Sequence, residues 1–111
     1  MAIQVILNQK KGPLPLTASF NAPSDAPSCL IISGSVWTQT ANQIIGISVS
    51  LDGQHIGSAS IFSNAVATHR AVVPTYIPVK LKFGPHQLVL STTPGTTVSD
   101  INDFFSVALE Y

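Results

Sequence analysis

Apolar and polar positions alternate along this chain in short runs, separated at close intervals by Gly, Pro, Asn and Asp. In Ile45-Gly46-Ile47-Ser48-Val49-Ser50-Leu51 the large apolar residues share one face and the serines the other, as a half-buried strand requires. Asp52-Gly53 follows at once. That pair suits a two-residue type I′ turn, in which both central residues take positive φ, so a hairpin is predicted over 44–62. A second alternation, Val79-Lys80-Leu81-Lys82-Phe83, is followed by Gly84-Pro85 and then His86-Gln87-Leu88-Val89-Leu90, and predicts another hairpin with one wet side.

Strands are expected at 2–7, 16–20, 29–37, 44–51, 55–62, 71–76, 78–83, 87–92 and 103–110. No stretch holds a period of 3.6 over three turns, and the strong helix formers never cluster. The proline-bearing segments 10–15 and 22–27 read as loops, because proline donates no ladder hydrogen bond and pushes the residue before it out of helical space. Thr-Thr-Pro-Gly-Thr-Thr at 92–97 reads as a polar loop. The fold expected is all-β, an antiparallel sandwich of about eight to nine strands in one domain spanning 1–111, which the resemblance described below makes a jelly roll.

Composition changes this picture in one respect. Soluble domains carry about 25% charged residues, whereas this chain carries 9%, with 45% hydrophobic residues and a formal net charge of zero. A lone sandwich of this makeup leaves unusual apolar surface in water, so a homo-oligomer is expected, with 2–7 and 104–111 at the contact. The five bases, Lys10, Lys11, Arg70, Lys80 and Lys82, form no run that could displace counterions from phosphates, which argues against a nucleic-acid partner. The first seven residues lack the basic and long apolar regions of a signal peptide, and no span reaches membrane length. The chain is therefore expected to be soluble and unprocessed, in the cytoplasm or with a virion, with no membrane insertion. Cys29 stands alone among Leu30, Ile31 and Ile32 and reads as a buried small hydrophobe.

Three groups of residues could carry chemistry. Ser99, Asp100, Asn102 and Asp103 form a short polar cluster that could end a loop, accept hydrogen bonds from sugar hydroxyls or hold calcium, although it lacks the regular ligand spacing of a helix-loop-helix calcium site. His55, His69 and His86 have neither helical pair spacing nor neighbouring Cys or Glu, which argues against zinc; no metal or other cofactor is expected. No Gly-x-Ser-x-Gly elbow accompanies the serines, so an enzyme is not expected. His69-Arg70 holds the only guanidinium, suited either to a ligand or to a pair with Asp100 or Asp103. Trp37, the only indole, could be structural or could stack on a ligand.

The runs ISVSLDGQHIGSASI, VKLKFGPHQLVL and INDFFSVALEY resemble the second half of the non-catalytic carbohydrate-binding modules built on a jelly roll, whose last strand commonly begins with Asn and Asp near the sugar. They also resemble the compact jelly rolls of the tumour-necrosis-factor-like and complement-head-like superfamily, which assemble as trimers and include bacterial lectins. The resemblance covers about two thirds of the chain and implies lectin-like recognition of a glycan by a homotrimer. Asn102, Asp103, Arg70 and His69 would bond the hydroxyls, and Tyr76 or Trp37 would stack on the sugar face. The loop at 64–69 holds Asn64, Thr68 and His69 where such modules usually present an aromatic platform. The competing expectation is a structural protein, a virion, fibre-tip or coat component with no small ligand.

Overall fold

The computed structural model describes residues 2–111. Ten strands fill it: β1 (Ile3–Lys11), β2 (Leu16–Ala22), β3 (Pro27–Thr38), β4 (Gln43–Leu51), β5 (Gln54–Ser63), β6 (Arg70–Ala71), β7 (Thr75–Lys80), β8 (Gly84–Thr92), β9 (Thr97–Val98) and β10 (Phe104–Glu110). All pairings are antiparallel. One sheet runs β1-β10-β3, with β6, β7 and β9 each pairing along the long β3; the other runs β2-β8-β4-β5. Together they form the expected all-β sandwich. Among the described residues no helix is long and apolar enough to cross a membrane.

Period-two patterning explains the core. Leu30, Ile32, Val107, Leu109 and Ile77 face inward from the first sheet, and Ile45, Ile47, Val49, Leu88 and Leu90 meet them from the second. Phe105 lies fully buried at the β10 end of this layer, against Gly34. A Cβ at Gly34 would lie 2.6 Å from the Phe105 ring and 2.8 Å from the Phe104 carbonyl oxygen, so β3 tolerates no larger residue there without movement.

The first hairpin forms as predicted. Leu51 pairs Gln54, and Asp52 and Gly53 take φ of 49° and 84°. The second does not form: β7 pairs β3 in the first sheet, whereas β8 pairs β2 and β4 in the second. Between them the chain crosses the sandwich, burying Leu81 as a plug and leaving Phe83 exposed with its N–H donated to Asp25 Oδ1 at 2.6 Å. Alternation at Val79, Leu81 and Phe83 is a local property, and a crossing between layers carries the same alternation as a hairpin.

Other boundaries move for identifiable reasons. Pro74 supplies no N–H, and the strand expected at 71–76 is split into β6 and β7. Pro78 sits within β7, which pairs only with β3 and so can spare that donor. Lys10 and Lys11, expected in a loop, extend β1 opposite Phe105 and Phe104. Thr97 and Val98 pair with Thr38 and Trp37 rather than remaining loop. Cys29, expected in the core, is only half-buried, because its register opposite Glu110 and Pro78 places it on the outer face. There, burial first and the Glu110 charge second push its thiol pKa up.

Candidate functional site

The polar cluster gathers where β10 begins. Ser35 and Trp37 project from the far half of β3, on the face opposite buried Val36 and Thr38. His69 immediately precedes β6, which pairs with β3 at Ser35 and Val36. Asp100 and Asp103 close the turn between β9 and β10: Asp103 N donates to Asp100 O at 3.1 Å, and Asn102 N donates to Asp100 Oδ1 at 2.8 Å. The loop between β1 and β2 is tied on as well, through Gly12 N to Asp103 O at 2.8 Å and Leu14 N to Ser99 Oγ at 2.8 Å.

Asp103 is the hub. Its Oδ1 accepts from Ser35 Oγ at 2.7 Å and from His69 Nδ1 at 2.6 Å, and its Oδ2 accepts from Asp100 N at 2.9 Å. The residue is fully buried, so it is not an exposed acceptor at the end of a loop. A buried carboxylate is tolerated only when its lone pairs are taken up, and these three donors do so. An ionised carboxylate only accepts, so His69 Nδ1 carries the proton. His69 Nε2 lies 3.7 Å from Asp100 Oδ2. The hydrogen bond to Asp103 raises the His69 pKa above its ordinary value; burial opposes this, and the charges of Asp103 and then Asp100 add to it.

Ser35, His69 and Asp103 are the residue types of a hydrolytic triad in a different order. Ser35 and His69 both donate to the same Asp103 oxygen, whereas activation of a serine requires its hydroxyl to be bonded to the histidine. One ligand atom each from His69, Asp100 and Asp103 lie within 4.8 Å of one another, close enough to share a cation if the His69–Asp103 hydrogen bond opened.

The remaining predicted site residues divide. Trp37 joins the cluster, its ring centroid 6.1 Å from that of His69 at 49°. Arg70 donates to Asn64 Oδ1 at 3.2 Å, and His69 rather than Arg70 meets the two aspartates. Asn102 is exposed beside Asp100. Tyr76 is not brought to this end: it lies opposite Ile31, four residues along β3 from Ser35, or about 13 Å at strand rise. Trp37 Nε1 and Arg70 Nε are shielded from solvent and have no hydrogen-bond partner. Ser35 was not legible as a site residue. Its one signal is that Ser33-Gly34-Ser35 interrupts an apolar run with small residues.

Comparison with known proteins bears on the fold. No protein-family model matches the sequence, and no curated protein matches it. Solved structures do match. The CBM36-1 domain of a multidomain xylanase from the hindgut metagenome of Trinervitermes trinervoides superposes with a TM-score of 0.57 at 9% identity, over 99% of this chain and 98% of that one. The chain shares with that domain its fold, an antiparallel all-β sandwich. A β-glucosidase from Paenibacillus barengoltzii matches with a TM-score of 0.60 at 10% identity, over 97% of this chain and 10% of its own. The tripod from the baseplate of bacteriophage Tuc2009 matches at 0.59 and 16% identity, over 97% of this chain and 62% of that chain. The chain thus spans about a tenth of the β-glucosidase and under two thirds of the tripod component.

Proposed function

We infer that the chain is a non-catalytic, lectin-like module that binds a glycan at the end of the sandwich where β10 begins. The observation that carries this reading is the polar edge formed by His69 and Asp100, each with over a third of its side chain exposed, beside the Trp37 ring. Asp100 and Asn102 offer half-exposed and exposed oxygens that accept from hydroxyls, with the Trp37 ring beside them. Asp103 acts behind them, holding His69. Neighbours named for carbohydrate binding share the fold and support the reading. Tyr76, on another part of the same sheet, would stack only on a ligand long enough to reach it.

The test is a glycan array probed with the full chain, repeated with Asn102→Ala. Saturable binding to a defined sugar class that weakens in the variant supports the reading; a flat array refutes it.

One observation favours assembly as a second role. Val5, Ala108, Ile31 and Tyr76 are register neighbours across β1, β10, β3 and β7, and make an apolar row on the outer face. Val5 is 63% and Tyr76 61% exposed. A homo-oligomer covering this row, a trimer in the manner of the tumour-necrosis-factor-like jelly rolls, would account for it and for the low charge of the chain. A virion or fibre component with no small ligand is the corresponding alternative.

A further inference from the structure

A second concavity lies at the other end of the sandwich from the β10 start, where β7 ends and the β4–β5 turn begins. It is a cleft of about 530 Å³ whose apolar walls include Leu51, Ile56 and Pro78 and whose polar lining carries Asp52, Gln54, Lys80, Lys82 and His86. A recess of about 260 Å³ adjoins it and shares Lys80, Leu81 and Lys82. The volume is that of a small-molecule site.

It holds a positive excess although the chain is neutral: Lys80, Lys82 and the His86 ring stand against Asp52, with Asp25 in the adjoining recess. Both carboxylates accept hydrogen bonds from groups other than the lysines. Asp52 accepts from His86 Nδ1 at 2.6 Å and from Gln87 N at 2.9 Å, and Asp25 accepts from Phe83 N at 2.6 Å. His86 Nε2 donates to Lys82 O at 2.7 Å, so both ring nitrogens have acceptors and the imidazolium is satisfied in place. Among the described residues no ion pair joins a lysine to a carboxylate, which leaves the Lys80 and Lys82 ammonium groups without acidic partners at the rim. Two unpaired cations over apolar walls suit a ligand with an apolar body and an oxyanion group.

We propose that this cleft binds a monosaccharide-sized anion, held by Lys80 and Lys82 through a carboxylate, sulfate or phosphate, with its less polar face against Leu51, Ile56 and Pro78. The site is distinct from the glycan site proposed at the start of β10 and stands or falls independently of it.

The test is a titration of the ¹⁵N-labelled full chain with glucuronate, glucose 6-sulfate, glucose 6-phosphate and neutral glucose, followed by amide shifts. The expected result is saturable shifts at 81–87 and 52–54 with at least one anion and none with glucose, weakened at least about tenfold in a Lys80→Gln/Lys82→Gln double variant. Both lysines are exposed, so the variant should keep its spectrum elsewhere. Which anion binds tells a planar carboxylate from a tetrahedral group. Lys10→Gln/Lys11→Gln, which alters β1, should leave the affinity unchanged. The proposal is overturned by no saturable shift with any anion, by equal shifts with glucose, by an unchanged affinity in the Lys80/Lys82 variant, or by equal weakening in the Lys10/Lys11 variant. Shifts confined to Trp37 and His69 would also overturn it while leaving the other site standing.

Discussion

Replacing Asp103 removes the acceptor for three donors at once, and the structure sets the scale of the loss. In Asp103→Ala, Ser35 Oγ and Asp100 N are left in part-buried surroundings, whereas His69, with 38% of its side chain exposed, can turn to water. Each stranded donor costs about 1–2 kcal/mol after partial rehydration, and the cavity adds to this, while relief from burying a charge subtracts, for a net loss of about 2–4 kcal/mol. Urea unfolding at neutral pH should then show a midpoint lowered by about 1–2 M with the slope unchanged. Asp103→Asn keeps the shape but turns an amide donor toward one of the existing donors, so it should lose less stability. It should still bring the His69 pKa down toward the ordinary histidine value, as read by NMR titration, because the charged acceptor that raises it is gone. A midpoint within about 0.3 M of wild type in Asp103→Ala, or an unmoved His69 pKa in Asp103→Asn, would refute the hub.

Other outcomes follow from particular contacts. His86 has a raised pKa, from its bonds to Lys82 O and Asp52, and Asp52 a lowered one, chiefly from His86. The His86 contribution is full below about pH 6.5 and is lost as pH rises through its raised value; that of Asp52 is full above about pH 4 and is lost as pH falls through its lowered one. Stability should therefore be greatest between these limits, and His86→Gln should flatten the alkaline fall; an identical pH profile in the variant would count against the pair. Gly53→Val should cost about 1–2 kcal/mol by thermal unfolding, purely from backbone strain, because its φ is +84° and a Cβ there meets nothing within 4 Å; an unchanged midpoint would be inconsistent with the turn. Gly34→Ala should cost about 1–3 kcal/mol by overpacking against Phe105, and a neutral result would mean that β3 and β10 separate more easily than their packing implies. Sedimentation equilibrium at micromolar concentration should give a mass above 11.7 kDa that falls in Val5→Lys/Ile31→Lys, whereas a monomeric wild type would remove the assembly role.

What could be read from the sequence was what is encoded locally. Asp52-Gly53 sits within a run whose alternation and turn chemistry agree, and β4 and β5 fold as that run implies. Val79 to Leu90 carries equally good alternation, yet its halves belong to different sheets, because the choice between hairpin and crossing is made by β3 and β2, which lie far away in sequence. The same limit governed the site. Asp100, Asn102, Asp103 and His69 were visible as residue types, but their roles depend on register. Ser35 reaches Asp103 across 68 positions, and His69 takes both carboxylates that Arg70 could equally have claimed. Burial of Asp103 was illegible for the same reason, since a polar turn before a strand ordinarily lies in water.

The most direct test of glycan binding at the start of β10 is the indole resonance of Trp37, unique because the chain has one tryptophan. In ¹H–¹⁵N spectra of the full chain titrated with the oligosaccharide that an array retains best, the account predicts a saturable shift of that signal together with the His69 and Asn102 amides. An indole signal that stays fixed while the sugar binds, or shifts confined to the opposite end of the sandwich, would contradict it.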